Sequence, residues 1–481
     1  MQKTFSSQNQ LICDLMQSFV SETIHFYDHI KEIPVGQKME ASTETYLKNQ
    51  EIPTQGRPLQ TVYDEMLQHI LSTGILQQHP RSFSCIPSTS SLLSWMGDIM
   101  LNAYNPHASC KLNAPSSDII EKKLIRWMGD LAGYPNKSGG LFVSGGSIAN
   151  LTALTAARDA KLTEATRSKA VIYLSDQTHS SVKKALHIIG FQTHQIHIVA
   201  TDSCFAIDVA ALEKAVQEDL EAKRKPFAVI ASAGTTNTGS VDPLKAIGAI
   251  CKTYDLWMHV DGAFGASALL SKYARQKLKG IELSDSLSWD AHKWMMQTYG
   301  CSVVLVRNRE ALIKSFNAHP EYLKDAESSE DSVEFWDLGP ELTRPARSLK
   351  LWLTLQAVGS DAMGEMIDHG CRLAELVESE IQKSPGWEII SPASLGIVNF
   401  RYNGDGKLSD KALDQLNQAI AKEVTDSGFA QIFTTELHGY KVLRMCIIHP
   451  ETTEADIIET LNRLKNAKVL QNNNDTLKIS A

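Results

Sequence analysis

The sequence predicts an α/β fold with a mostly parallel central sheet and helices on both of its faces. From about residue 120 to 310, short apolar, β-branched runs alternate with amphipathic segments, which is the pattern of successive βαβ units. The residues best suited to chemistry stand just after those runs, at the strand carboxyl ends where parallel sheets bind ligands. The 481-residue length is more than one domain needs and implies two or three.

In chain order, residues 1–80 read as a mainly helical segment punctuated by Pro34, Pro53 and Pro58. Residues 81–355 form the predicted large α/β domain. Its strand candidates are 141–143, 170–174, 195–199, 227–231, 257–260, 286–289 and 302–306, with helices over 149–160, 209–222 and 244–253. The acidic, polar run AESSEDSVE (326–334) reads as a mobile surface loop, and a long helix is expected over 344–358. Residues 356–468 mix helices with strands such as 396–401 and 441–448, as a smaller α+β domain would. The polar tail 469–481 is expected to be frayed. No internal repeat is present.

Composition excludes several classes. Hydrophobic residues are 43% and charged residues 21%, an ordinary soluble mixture. A net charge of -8 argues against nucleic-acid or anionic-membrane partners. No stretch of eighteen apolar residues and no basic start before an apolar block occur, so neither a membrane span nor a signal peptide is expected. The eight cysteines are scattered without a C-x-x-C pair, which predicts no zinc site, no disulfide framework and a reducing cytoplasm.

Four motifs carry the chemistry. Ser144-Gly145-Gly146-Ser147-Ile148-Ala149-Asn150 lies between a strand and a helix. Its glycines let backbone N–H groups approach an anion, the helix N-terminus adds positive potential, and Ser147 adds a hydroxyl; the alternative is a glycine turn with Ser147 as N-cap. In Trp257-Met258-His259-Val260-Asp261-Gly262-Ala263, an apolar strand ends in a carboxylate followed by small residues. Such a carboxylate can pair with a protonated ring nitrogen, or simply cap the next turn. Trp289-Asp290-Ala291-His292-Lys293-Trp294 sets a lysine beside a histidine after another apolar strand; lysine forms a stable imine with an aldehyde cofactor. In Leu174-Ser175-Asp176-Gln177-Thr178-His179, a histidine again follows a strand, where imidazole can stack on a pyridine ring or start a helix. Phosphate anchor, stacking ring, acid for a pyridinium and Schiff-base amine are together what pyridoxal 5'-phosphate (PLP) requires.

These residues resemble the group II PLP-dependent decarboxylases of fold type I, which include aromatic-amino-acid, glutamate, histidine and diaminobutyrate decarboxylases. The similarity runs from about Gln78 to Pro450, through HPRSFSCIPSTSSLLSWMGDIM (79–100), FVSGGSIANLTALTAAR (142–158), YLSDQTHSSVKKAL (173–186), ASAGTTNTGSVDPL (231–244), HVDGAFG (259–265) and WDAHKWM (289–295). The resemblance implies a fold type I, transferase-like architecture and an L-amino-acid α-decarboxylase that releases CO2 and a primary amine through external aldimine and quinonoid intermediates. It implies Lys293 as the Schiff-base lysine, His292 as its neighbour, Asp261 as the pyridinium partner, Ala263 against the ring and His179 stacked on it. Gly146 and Ser147 would hold phosphate, and Thr236 would stand near the ring. Asp290 stands where relatives often carry asparagine, and a carboxylate there repels phosphate unless turned away or protonated. Tyr322 would protonate the substrate carbon after CO2 leaves. Arg444 would hold a substrate carboxylate or serve a structural ion pair, and Cys85 and Ile86 would border the substrate side chain. A homodimer with active sites at the subunit interface is also implied. Aminotransferase, desulfinase or aldehyde-synthase chemistry on the same cofactor, or a non-catalytic scaffold of this fold, are the competing readings.

Overall fold

The runs 171–174, 227–231 and 303–306 are almost completely shielded from solvent, as strands covered by helices on both faces must be. The computed structural model describes residues 8–86, 89–317, 333–404, 406, 408–467, 469 and 470. Its N-terminal region carries α1 (Asn9–Asp28), β1 (Gly36–Gln37), α2 (Ala41–Lys48), α3 (Leu59–Glu65) and β2 (Gly74–Ile75), with β1 and β2 paired antiparallel. Helices α4 (Leu92–Tyr104) and α5 (Pro115–Leu131) lead into the main sheet. There follow β3 (Gly139–Val143), α6 (Gly146–Lys161), α7 (Glu164–Arg167), β4 (Ala170–Ser175), α8 (Ser180–Ile188), β5 (Ile196–Val199), α9 (Val209–Glu221) and β6 (Lys225–Ser232). Next come α10 (Leu244–Thr253), β7 (Trp257–Asp261), β8 (Ser286–Asp290) and β9 (Ser302–Val306).

The seven strands lie in the order β3-β9-β8-β7-β6-β4-β5. Only β9 runs against its neighbours β3 and β8, so β3, β4, β6, β7 and β8 all end on one edge. Past α11 (Glu310–Phe316), helices α12 (Ser348–Val358) and α13 (Ser360–Gln382) lead to a second sheet. That sheet holds β10 (Trp387–Ser394), β11 (Ile397–Tyr402), β12 (Phe433–Leu437) and β13 (Tyr440–Cys446), with α14 (Asp410–Asp426) and α15 (Glu454–Lys465). It is antiparallel, ordered β10-β11-β13-β12.

All seven strands expected between 141 and 306 are present, and 302–306 matches in both bounds. The helix expected from residue 344 begins at Ser348 instead. Pro345 disfavours helical geometry at the residue before it, and Arg344 is engaged elsewhere. Its guanidinium is fully buried, 2.5 Å from Glu121, and donates to the carbonyls of Ala108 and Phe142. Glu121 in turn accepts the Phe142 N–H at 3.0 Å, so this ion pair grips both backbone groups of one residue in β3.

Of the two segments expected to be mobile, only residues 333–334 and 469–470 are described, and they are held. Glu334, the last residue of the acidic run, is buried and accepts the Lys111 N–H at 2.9 Å. Leu470 in the tail is buried within the cluster of apolar side chains around the second sheet. Residues 318–332, with Tyr322 among them, lie outside the described residues.

Candidate active site

The shared strand edge brings the predicted residues to one cleft of about 490 Å3. Gly146 and Ser147 follow β3, His179 follows β4, Thr236 follows β6, and Asp261 and Ala263 close β7. Asp290, His292 and Lys293 end β8 and its turn, while Cys85, Ile86 and Arg444 reach the cleft from outside the main sheet.

Helix α6 opens at Gly146, with Gly145 as its N-cap. Ser147 is therefore inside the first turn, not the cap. The first intrahelical bonds run from the Ile148 and Ala149 N–H groups to the Gly145 carbonyl, which leaves the amides of Gly146 and Ser147 at the open, electropositive end. A Cβ on Gly146 would stand 2.8 Å from an Asp290 carboxylate oxygen and 3.1 Å from the Ala263 methyl. Only glycine lets the helix start come this close to the β7 and β8 ends.

Asp261 is 8% exposed, and both of its carboxylate oxygens are held. Oδ1 accepts from the Ala263 N–H and the Ser288 hydroxyl, each at 3.2 Å, and Oδ2 accepts from the Asn150 amide at 3.1 Å. His179 sits at the N-cap of α8, where its Nδ1 accepts the Ser181 N–H at 3.2 Å and lies 2.8 Å from the Ser181 hydroxyl. The helix-start role and a place on the cleft thus coexist in one side chain.

Lys293 Nζ is 3.1 Å from Asp290 Oδ2, and His292 Nε2 is 3.6 Å from the same oxygen. The other Asp290 oxygen is buried without a protein partner. Burial pushes the His292 pKa below its ordinary value, against the pull of Asp290. Both flanking tryptophans are core residues: Trp289 donates to Ser267 Oγ at 2.9 Å, and Trp294 stacks on Phe264 with centroids 4.7 Å apart. They fix the β8 turn that presents the lysine.

On the remaining side, Ile86 is buried, Cys85 half-buried, and Tyr299 and Gln77 complete the wall. Arg444 Nε donates to the Thr236 carbonyl at 2.9 Å and Nη1 to the Ser84 carbonyl at 2.7 Å. Its Nη2 is buried without a protein partner. Arg444 therefore clamps two wall segments and keeps one donor free. Asn150, Ser181 and Tyr299 went unremarked among the sequence-predicted site residues. Asn150 had a signal, since it falls one turn after Gly146 and so on the same helix face.

Comparison with known proteins identifies the family. Residues 41–403 match the pyridoxal-dependent decarboxylase conserved domain. The chain belongs to the pyridoxal-dependent decarboxylase family. It is 39% identical over 448 residues to an aromatic-L-amino-acid decarboxylase of Bacillus atrophaeus, covering 92% of both chains. It is 30% identical to an L-2,4-diaminobutyrate decarboxylase of Acinetobacter baumannii, covering 86% of each. The solved structure of Oryza sativa TDC with PLP and tryptamine superposes with a TM-score of 0.91 at 25% identity, covering 98% of this chain and 99% of that one. The fold is therefore fold type I, the cofactor is PLP, and the reaction is amino-acid decarboxylation, a carboxy-lyase activity.

The residues present fit that cofactor. The open end of α6 suits its phosphate, the Asp261 carboxylate suits its ring nitrogen, and Lys293 suits its aldehyde. Among the described residues, no group of three or more His, Cys, Asp or Glu side chains is gathered to hold a metal, and no helix is long and apolar enough to cross a membrane.

Proposed function

We propose that this family member is an L-amino-acid α-decarboxylase yielding CO2 and a primary amine, with an aromatic amino acid as its substrate class. The observation that carries the site assignment is the convergence of the α6 N-terminus, His179, Asp261 and Lys293 on one cleft from four different strand ends. When bound, PLP supplies the electron sink for the bond that breaks at the substrate Cα. Lys293 would provide the amine that holds the cofactor aldehyde, and the amides of Gly146 and Ser147 would hold its phosphate. Asp261 would pair with the ring nitrogen, and Ala263, Thr236 and His179 would hold the ring. Tyr322 would supply the proton that replaces CO2. The aromatic class is supported by the 39% identical relative and by a wall in which Ile86, Cys85 and Tyr299 offer apolar surface. The free Nη2 of Arg444 suits a polar group on the substrate.

The assembly proposed with this reading is a homodimer with its active sites at the interface. Helix α1 has no buried residue, and it exposes Leu11, Ile12, Met16 and Ile24. The segment 62–71 also exposes Val62, Met66, Ile70 and Leu71. Apolar surface on this scale seeks a partner. A 356–468 small domain is supported by its own cluster of buried side chains, beside a 1–80 helical segment, an 81–355 cofactor domain and a short tail from 469. A cytoplasmic setting is consistent with eight unpaired cysteines.

The test incubates the PLP-loaded enzyme separately with each common amino acid, DOPA, diaminobutyrate and cysteine sulfinate, measuring CO2 and amine. The highest kcat/KM should fall among the aromatic substrates, with one amine per CO2. A preference for an acidic or diamino substrate would overturn the aromatic class. Light scattering of the active sample should give twice the 53.1 kDa chain mass, and a fully active monomer would overturn the dimer.

A further inference from the structure

Asn150 is 1% exposed, and each of its amide atoms has a partner. Oδ1 lies 3.0 Å from His259 Nε2, and Nδ2 lies 3.1 Å from both Asp261 Oδ2 and Ser181 Oγ. The direction of these bonds follows from a group that can only accept: the Asp261 carboxylate takes a hydrogen from Asn150 Nδ2, so the amide oxygen faces His259 and must itself accept. The Trp257 indole N–H donates to Ser286 Oγ at 2.8 Å, which leaves that hydroxyl its own hydrogen to give. His259 Nδ1 is 2.9 Å from that hydroxyl. The His259 ring is wholly buried, and burial lowers its pKa to about 4, so it is neutral at physiological pH. The single ring hydrogen is therefore on Nε2, donated to the Asn150 oxygen, and Nδ1 is left to accept from Ser286.

Both amide hydrogens then point the other way, one to Asp261 and one to Ser181. The flipped amide would set its oxygen against the Asp261 carboxylate and its NH2 against the His259 N–H, two repulsive contacts in a water-poor site. Ser181 Oγ, already accepting from Asn150, passes its hydrogen to His179 Nδ1. The Ser181 N–H points to the same nitrogen. His179 Nδ1 is thus an acceptor, and its ring hydrogen is carried on Nε2.

We propose that Asn150 is a positioning residue that sets the Asp261 carboxylate and the His179 imidazole together through one amide, with the His259 Nε2–H holding that amide in its orientation. The inference rests on the reading of Asp261 as the partner of the cofactor ring nitrogen. One helix links the two: α6 opens with Gly146 and Ser147 at its free N-terminus and carries Asn150 one turn later, against Asp261. None of this requires Asn150 to touch the cofactor.

The experiment titrates cofactor-free wild type, Asn150→Ala, Asp261→Ala and the double variant with PLP, and with an analogue carrying C–H in place of the ring nitrogen. Wild type should prefer PLP over the analogue, and Asp261→Ala should lose that preference. Asn150→Ala should weaken PLP binding by about 10-fold or more, as loss of a hydrogen bond to a charged group implies, and leave analogue binding nearly unchanged. The double variant should be no worse than Asp261→Ala alone. Equal weakening toward both ligands, or no weakening, would overturn the positioning role. If Asp261→Ala itself keeps the preference for PLP, the reading of Asp261 fails, and this inference with it. Should Asn150→Ala not fold, His259→Leu and His259→Gln decide: the first should lose the preference, the second should regain it by restoring a donor, and identical behaviour would overturn the proposal. For the His179 arm, nitrogen-15 spectra of labelled histidine should show His179 with its hydrogen on Nε2 in wild type and a tautomer mixture in Asn150→Ala. An unchanged signal would remove that arm.

Discussion

Lys293 and Asp290 form an ion pair at 3.1 Å inside the cleft, so the amine that meets the cofactor begins beside a carboxylate rather than in an apolar pocket. Lys293→Ala should abolish the visible Schiff-base absorption of the PLP-loaded enzyme and all amine production, while leaving the cofactor-free fold intact. A cofactor–protein bond that borohydride still reduces in that variant would move the assignment to another lysine. Tyr322→Phe should preserve CO2 release but lower the amine yield and raise aldehyde, ammonia and peroxide in air, because the ring without its hydroxyl has no proton to donate. Measuring all five products with and without oxygen checks this, and unchanged amine at an unchanged rate would remove Tyr322 from the mechanism. That Lys293, His179 and Asp261 meet in one cleft was legible in the sequence because each closes or follows an apolar run. Asn150 ends the 144–150 motif, and nothing in the sequence gives it a role. Its meaning depends on His259 and Asp261, more than a hundred residues away, and on hydrogen-bond directions that only the folded chain defines.

At the scale of elements, strands buried on both faces were the easiest to read, since each is one continuous apolar run in sequence. Polar residues that serve the core were not legible. Glu334 ends an acidic stretch that resembles solvated surface, yet its carboxylate caps the Lys111 amide 223 residues away. Arg344 and Glu121 look like surface charges and are both fully shielded. Their pair brackets Phe142, next to the end of the strand that launches the phosphate-binding turn. Arg344→Met should destabilise the protein by about 3–5 kcal/mol, because it leaves Glu121 buried and unpaired. Cofactor retention should weaken as well, since β3 loses a hold on its Phe142 carbonyl. Urea unfolding of the cofactor-free variant against wild type measures the first effect. A loss below about 1 kcal/mol, the range of an exposed pair, would show that β3 is anchored by other means.

Across the whole molecule, buried titratable groups set how stability responds to acid. His79, His259 and His449 are each held near a pKa of about 4, first by burial and, at His79, also by the Arg81 charge. Their ordinary value is 6.5. Between those limits the unfolded chain binds a proton at each site that the folded chain refuses, so each contribution is intact above pH 6.5 and is lost as pH falls toward 4. Asp242 opposes this. Burial raises its pKa from 3.8 to about 7, although the Ser232 and Ile207 amides pull the other way. Its folded form therefore holds an extra proton over the same window and gains stability as pH falls. The three histidines, each worth about 3 kcal/mol at most, outweigh Asp242, worth about 4 kcal/mol at most, and leave a net loss. Below 3.8 the loss continues: burial raises the Asp456 pKa, but bonds from Lys31 and Thr453 outweigh it and hold the value near 2. The melting temperature of the cofactor-free protein should accordingly fall steadily between about pH 7 and pH 4.5. His79→Gln should start less stable and show a shallower slope, since one of the three refused protons is gone. Calorimetry at constant ionic strength across that range checks both, and a flat or rising profile as pH is lowered would mean that Asp242 and other raised carboxyls, not the buried histidines, dominate the balance.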